Sequence, residues 1–152
     1  VAAAHFAEAR PAVQIRSDVE RKRLAGLGAL ERSGSALDAG LYTPEMGRRT
    51  YARLLELSRT VIEAGFTAIA DATFLKGDQR APFRALAGEL GVDLRILAPE
   101  ADEAELRRRI TERLASGADP AEADVAVLEK QLATLDPLTP EEAGQVIVPP
   151  NA

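Results

Sequence analysis

The stretch FTAIADATF, residues 66–74, is apolar almost without a break until it meets Asp71. Continuous apolarity, in place of alternation, is what a strand covered on both faces requires, and such coverage is the pattern of a parallel sheet. Parallel strands need a long crossover between them, usually a helix.

Both flanks supply one. Upstream, YTPEM starts a helix with Thr43 as N-cap and Pro44 at its first position. Tyr51, Leu54, Leu55, Ser58, Val61 and Ile62 recur at three- and four-residue steps, while Arg48, Arg49, Arg53, Glu56, Arg59 and Glu63 take the other faces. Gly65 stops this helix as a C′ residue. Downstream, a helix from about Asp78 to Leu90 turns Phe83, Leu86, Ala87 and Leu90 to one side and ends at Gly91.

Farther out the alternation continues. PAVQI, residues 11–15, reads as a short strand that runs into a basic helix, VERKRL, and residues 26–40 read as a Gly/Ser/Ala-rich loop. VDLRIL is a further strand, followed after Pro99 by a helix with Leu106, Ile110 and Leu114 inward. A helix capped by Asp119, with Pro120 at its start, precedes a helical turn capped by Thr139 and a closing strand, Gln145 to Val148. This order favours a doubly wound α/β sheet over a helical bundle.

Composition narrows the chemistry. At 152 residues the chain is most simply one domain with one core. With no cysteine and a single histidine, His5, disulfides, thiolate metal sites and His-rich zinc sites are excluded. Catalysis must use carboxylates, arginines, lysines and hydroxyls. A formal net charge of −5 argues against a dedicated nucleic-acid binder, though not against a local basic groove. No apolar run approaches the roughly 18 residues of a membrane span, and VAAAHFAEAR has no basic leader before an apolar core, so a cytoplasmic protein without membrane partners is the expectation.

In doubly wound sheets ligands bind outside the carboxyl ends of the strands. Asp18 follows the first strand and Asp71 ends the FTAIA strand, so both are expected on one rim, facing one crevice. Arg16, Arg21 and Arg80 are close in sequence. Such a set suits a reaction in which arginine neutralises phosphate charge while a carboxylate accepts a hydroxyl proton or helps hold Mg²⁺. The plainer alternative for Asp18 is a helix cap favoured by the helix dipole. Lys22 and Arg23 are expected to be solvated, and Tyr51 and Phe83 to belong to the core.

Taken together, IRSDVERKRLAGL, the segment from Tyr51 to Val92, and EADVAVLEKQ resemble the P-loop kinase domains related to polynucleotide kinase, zeta toxin and gluconate kinase. They are most similar to the AAA-type ATP-binding domain often fused behind an aminoglycoside-phosphotransferase-like domain in bacteria. The resemblance implies a P-loop NTPase-like parallel sheet flanked by helices over residues 1–152, with a lid at about 102–124. It implies ATP and Mg²⁺ as cofactors and a hydroxyl-bearing small molecule as acceptor, with an upstream phosphotransferase-like domain as partner. Asp18 then corresponds to the carboxylate that takes the acceptor's proton, and Arg21 to the residue that helps hold the acceptor. Asp71 and Thr73 match the acidic strand end near Mg²⁺ and substrate, with Arg80 nearby, and Arg109 and Arg113 match lid arginines that close over the nucleotide phosphates. Between Asp119 and Glu122, where relatives often carry a serine, this chain has Ala121, and His5 matches no motif.

One departure is large. The phosphate-gripping motif G-x-x-x-x-G-K-[ST] is absent from the sequence. Val1 to Ala9 reads as a helix without a start signal, similar to the helix that follows this motif in relatives, so the first, central strand is expected to be missing with it. The FTAIA and VDLRIL strands would then flank an unfilled slot. The chain is therefore expected to be an N-terminally incomplete fragment, a poor or inactive ATP binder and prone to aggregate. Three function classes stay open: a small-molecule or nucleotide kinase, a 5′-hydroxyl polynucleotide kinase using Arg21 to Arg23 as its phosphate-contacting patch, and a degenerate interaction module.

Overall fold

Thr43 and Pro44 start a helix as their chemistry dictates: the Thr43 hydroxyl oxygen accepts the Met46 N–H at 3.2 Å, satisfying one of the donors that a helix start leaves orphaned. In the computed structural model the structure describes residues 11–28, 40–97, 108 and 135–147. The elements are β1 (Ala12–Arg16), α1 (Ser17–Leu24), a 3₁₀ turn (Gly40–Tyr42), α2 (Pro44–Glu63), β2 (Thr67–Asp71), α3 (Gly77–Leu90), β3 (Ile96–Leu97), α4 (Pro140–Ala143) and β4 (Val146–Ile147).

Helix α2 buries the stripe that its spacing announces. Leu54 is fully buried and Ser58 nearly so, while Arg48, Arg49, Glu56 and Glu63 are exposed. Thr50, on the same stripe, is also fully buried, and its hydroxyl donates to the Met46 carbonyl at 2.8 Å. At the far end Gly65 adopts φ 85°, a left-handed conformation that a Cβ would penalise. This lets the Gly65 and Phe66 N–H groups turn back to the carbonyls of Ile62 (2.9 Å) and Val61 (3.1 Å), the Schellman pattern. Gly91 ends α3 in the same way, with φ 63° and the Val92 N–H bonded to the Ala87 carbonyl at 3.0 Å.

The strands depart from expectation in extent. β1 pairs with β2, and β3 pairs with β4, as two separate two-stranded sheets. β3 and β4 run parallel, with Ile96 opposite Val146 and Leu97 opposite Ile147. VDLRIL contributes only Ile96 and Leu97. β2 is not covered on both faces: Thr67 is exposed and Ala68 to Asp71 are half-buried. Among the described residues β2 has a hydrogen-bonded strand, β1, along one edge only.

The described residues fall into two compact units, one of 11–15, 55–97 and 135–147, the other of 16–28, 40–54 and 108. Ile15, Leu86 and Ala87 are the buried apolar residues of the first unit, and Leu41 and Leu54 those of the second. No helix among the described residues is long and apolar enough to cross a membrane.

Candidate functional site

In the first unit, Asp71 is the last residue of β2 and is half-buried. Its Oδ2 accepts a 2.7 Å hydrogen bond from Nε2 of Gln14, a residue of the paired strand β1. A carboxylate has about four lone-pair sites, so this one bond holds its orientation without exhausting it. Among the described residues no three His, Cys, Asp or Glu side chains cluster as a metal cage. Mg²⁺ is commonly held by one or two carboxylates together with substrate phosphates and water, and an oriented strand-end aspartate fits that need.

The residues after Asp71 are tightly held. Thr73 is exposed, and Phe74 takes φ 46°, a conformation uncommon outside glycine. The Phe74 ring meets Phe83 edge to face, with centroids 5.0 Å apart. Lys76 N–H donates to Gln79 Oε1 at 3.1 Å. Asp136, far along the chain, accepts from the Gly77 N–H at 3.0 Å and from Lys76 Nζ at 3.1 Å, and its own N–H donates to the Leu75 carbonyl at 2.8 Å. Asp136 thus does for the start of α3 what an N-cap carboxylate would do, and the Gly77 N–H, then Lys76, hold its carboxyl below the usual aspartate range.

Arg80, expected from the sequence to face substrate, is instead buried at 7 % exposure. Its Nε and Nη2 donate to the Glu142 carboxylate at 2.9 and 3.2 Å. The remaining N–H groups reach the carbonyls of Phe74 (3.0 Å), Pro137 (3.1 Å) and Asp136 (3.4 Å). All five guanidinium donors are committed inside the protein, which is why a substrate role does not suit this residue. Glu142 is 1 % exposed and closes a capping box with Thr139: Thr139 N–H donates to Glu142 Oε2 at 2.9 Å, and Glu142 N–H donates to Thr139 Oγ1 at 3.2 Å. The bonds from Arg80, then that from Thr139, hold the Glu142 carboxyl below the usual glutamate range. Thr139 was legible as a cap, and the T-x-x-E spacing also marks Glu142, although nothing local marks its ion pair.

In the second unit, Asp18 is the second residue of α1. Arg16 grips it with two N–H groups, Nε to Oδ1 at 3.2 Å and Nη2 to Oδ2 at 2.6 Å. Oδ1 also accepts the Val19 N–H at 2.8 Å, so Asp18 serves an orphaned first-turn donor as well. Arg21 lies over the Tyr42 ring, 5.4 Å from its centroid.

Lys22 is a correction: it is 3 % exposed, not solvated. α1 has only Val19 and Leu24 as apolar residues, so packing it takes charged side chains inward as well. Arg23, also expected to be solvated, is exposed but ion-paired with the buried Glu20, which has Arg53 as a second partner at 3.7 Å. The run Arg21 to Arg23 is therefore engaged within the protein at each position. Arg109, Arg113, Asp119, Glu122, His5 and the lid region lie outside the described residues; Arg108 is described, exposed and helical.

No curated protein and no solved structure matches the chain. A family model described as an AAA domain matches residues 1–138. With most of its length covered by that match, the chain belongs to the AAA domain family of P-loop NTPase-like, nucleotide-binding domains.

Proposed function

We propose that the chain carries the acceptor-binding and proton-accepting part of an ATP-dependent phosphotransferase acting on a hydroxyl of a small molecule or nucleotide. The observation that carries this reading is Asp18: a carboxylate at the junction of a strand and a helix, held in one orientation by two N–H groups of Arg16. As the acceptor oxygen bonds to the γ-phosphorus and the bond to the ADP leaving group breaks, Asp18 takes the hydroxyl proton. Arg16 orients Asp18 and, with Arg21, faces an anionic or polyhydroxylated acceptor. Asp71, steadied by Gln14, supplies a carboxylate to Mg²⁺, with Thr73 beside it. Arg109 and Arg113 would neutralise the nucleotide phosphates, the role their resemblance to lid arginines implies. Mg²⁺ supplies neutralisation of the phosphate charge when it is bound with nucleotide.

A triphosphate also needs a cradle of backbone N–H groups, and the residues of this chain include no G-x-x-x-x-G-K-[ST] to form one. We therefore include in the proposal a further strand bearing that loop, set between β2 and β3. The separation of the four strands among the described residues into the pairs β1–β2 and β3–β4 supports it, because such a strand would join them into a single sheet. An upstream phosphotransferase-like domain remains the proposed partner. The burial of Lys22 and the pairing of Arg23 with Glu20 weigh against a polynucleotide acceptor.

Transfer of the γ-phosphate of ATP to a panel of polyols, sugars and nucleosides, in the protein carrying the glycine-rich segment, tests the reading. Labelled phosphate is expected on one acceptor class and only with Mg²⁺. Release of inorganic phosphate alone, whatever acceptor is offered, would contradict it.

A further inference from the structure

We propose that the buried pair Arg80–Glu142 is a positioning device, which fixes the loop of residues 72–76 and so sets where Asp71 and Thr73 are presented. Its functional meaning rests on the site proposed above; its structural content does not. The loop leaves β2 at the oriented carboxylate of Asp71 and must reach the start of α3 within five residues. It does so through Phe74 in the left-handed region, a conformation that persists only where the surroundings over-determine it.

Three contacts provide that over-determination. Arg80 Nη1 takes the Phe74 carbonyl at 3.0 Å, Phe83 takes the Phe74 ring at 5.0 Å, and Asp136 ties Leu75, Lys76 and Gly77. Arg80 is the common element, because the same guanidinium also binds the carbonyls of Asp136 and Pro137 and is locked from behind by Glu142. Glu142 is in turn fixed by its capping box with Thr139. The segment from Asp136 to Glu142 therefore acts on the strand end through one side chain. A planar fork with five donors can serve a carboxylate and three carbonyls at once, and an ammonium cannot.

The test is amide hydrogen exchange on the unliganded chain, compared with Arg80→Lys and with Glu142→Gln, which keeps the shape of the carboxylate. Exchange at Lys76, Gly77 and Asp136 is expected to rise at least about 10-fold in Arg80→Lys and less in Glu142→Gln, with the α2 amides unchanged. The Phe74 ring resonances are expected to be displaced by Phe83 in the parent chain and to return toward those of free phenylalanine in Arg80→Lys. Should Arg80→Lys not fold, the same pattern at smaller amplitude in Glu142→Gln carries the test. Unchanged loop exchange in the folded variants, or a rise shared equally by α2, would overturn the proposal. No nucleotide enters the experiment, so its failure leaves the phosphotransferase reading in place, and a failure of that reading leaves this result in place.

Discussion

Replacing Arg80 by leucine is expected to lower the unfolding free energy by about 3–5 kcal/mol, because it leaves the buried Glu142 carboxylate without its two hydrogen-bonded N–H groups and with only the more distant Arg84, at 3.8 Å, as a cation. The carbonyls of Phe74 and Pro137 lose a donor in the same step. Denaturant unfolding measures the loss. The double variant Arg80→Leu/Glu142→Leu is expected to recover much of it, since two apolar groups in a buried site leave no unpaired charge. A single-variant loss below about 1 kcal/mol, the range of an exposed ion pair, would contradict the buried clamp. The same pair sets the acid limb of stability. Glu142 has a lower pKa folded than unfolded, so its contribution is fully present above the ordinary glutamate value of about 4.3 and is lost as pH falls through the lower folded value. Asp136 acts in the same direction. In Arg80→Leu this acid limb is expected to flatten.

Asp18→Asn, made in the protein carrying the glycine-rich segment, is the second large effect, and it concerns activity. An amide at this position still accepts a hydrogen bond from Arg16, so the fold and the binding of reactants are expected to persist. An amide does not take a hydroxyl proton, and the turnover number for phosphoryl transfer is expected to fall about 10²–10⁴-fold with little change in KM. Turnover within about threefold of the parent would remove Asp18 from the role of base and favour the helix-start role that its bond to Val19 already shows. The interaction-module reading predicts the same indifference, so this variant separates that class from both kinase classes.

What the sequence made legible is what local chemistry controls. Thr43 and Pro44, the three- and four-residue spacing to Ile62, and Gly65 delimit α2 within one residue, and Gly91 and Thr139 mark their helix ends as directly. Asp18 and Asp71 could be singled out because each stands where an apolar strand stops. What eluded the sequence is non-local. The coverage of β2 depends on what packs against its two faces, which its own residues do not encode. Arg80 looks like any cation near a helix start, since its decisive partners lie 56 to 62 positions away. Lys22 sits in a charge run that reads as solvated, yet α1 has only Val19 and Leu24 as apolar residues to bury in its place. Asp136 and Glu142, which hold the strand end together, carry no motif beyond a capping box.

The central claim is that these residues form the acceptor side of a nucleotide-dependent transferase whose phosphate cradle lies on a strand joining β2 to β3. Titration with MgATP of the 152-residue chain, alone and joined to a strand and glycine-rich loop of the G-x-x-x-x-G-K-[ST] type, tests it most directly. The account predicts saturable binding by the joined protein and none by the chain alone; equal, tight binding by both would contradict it.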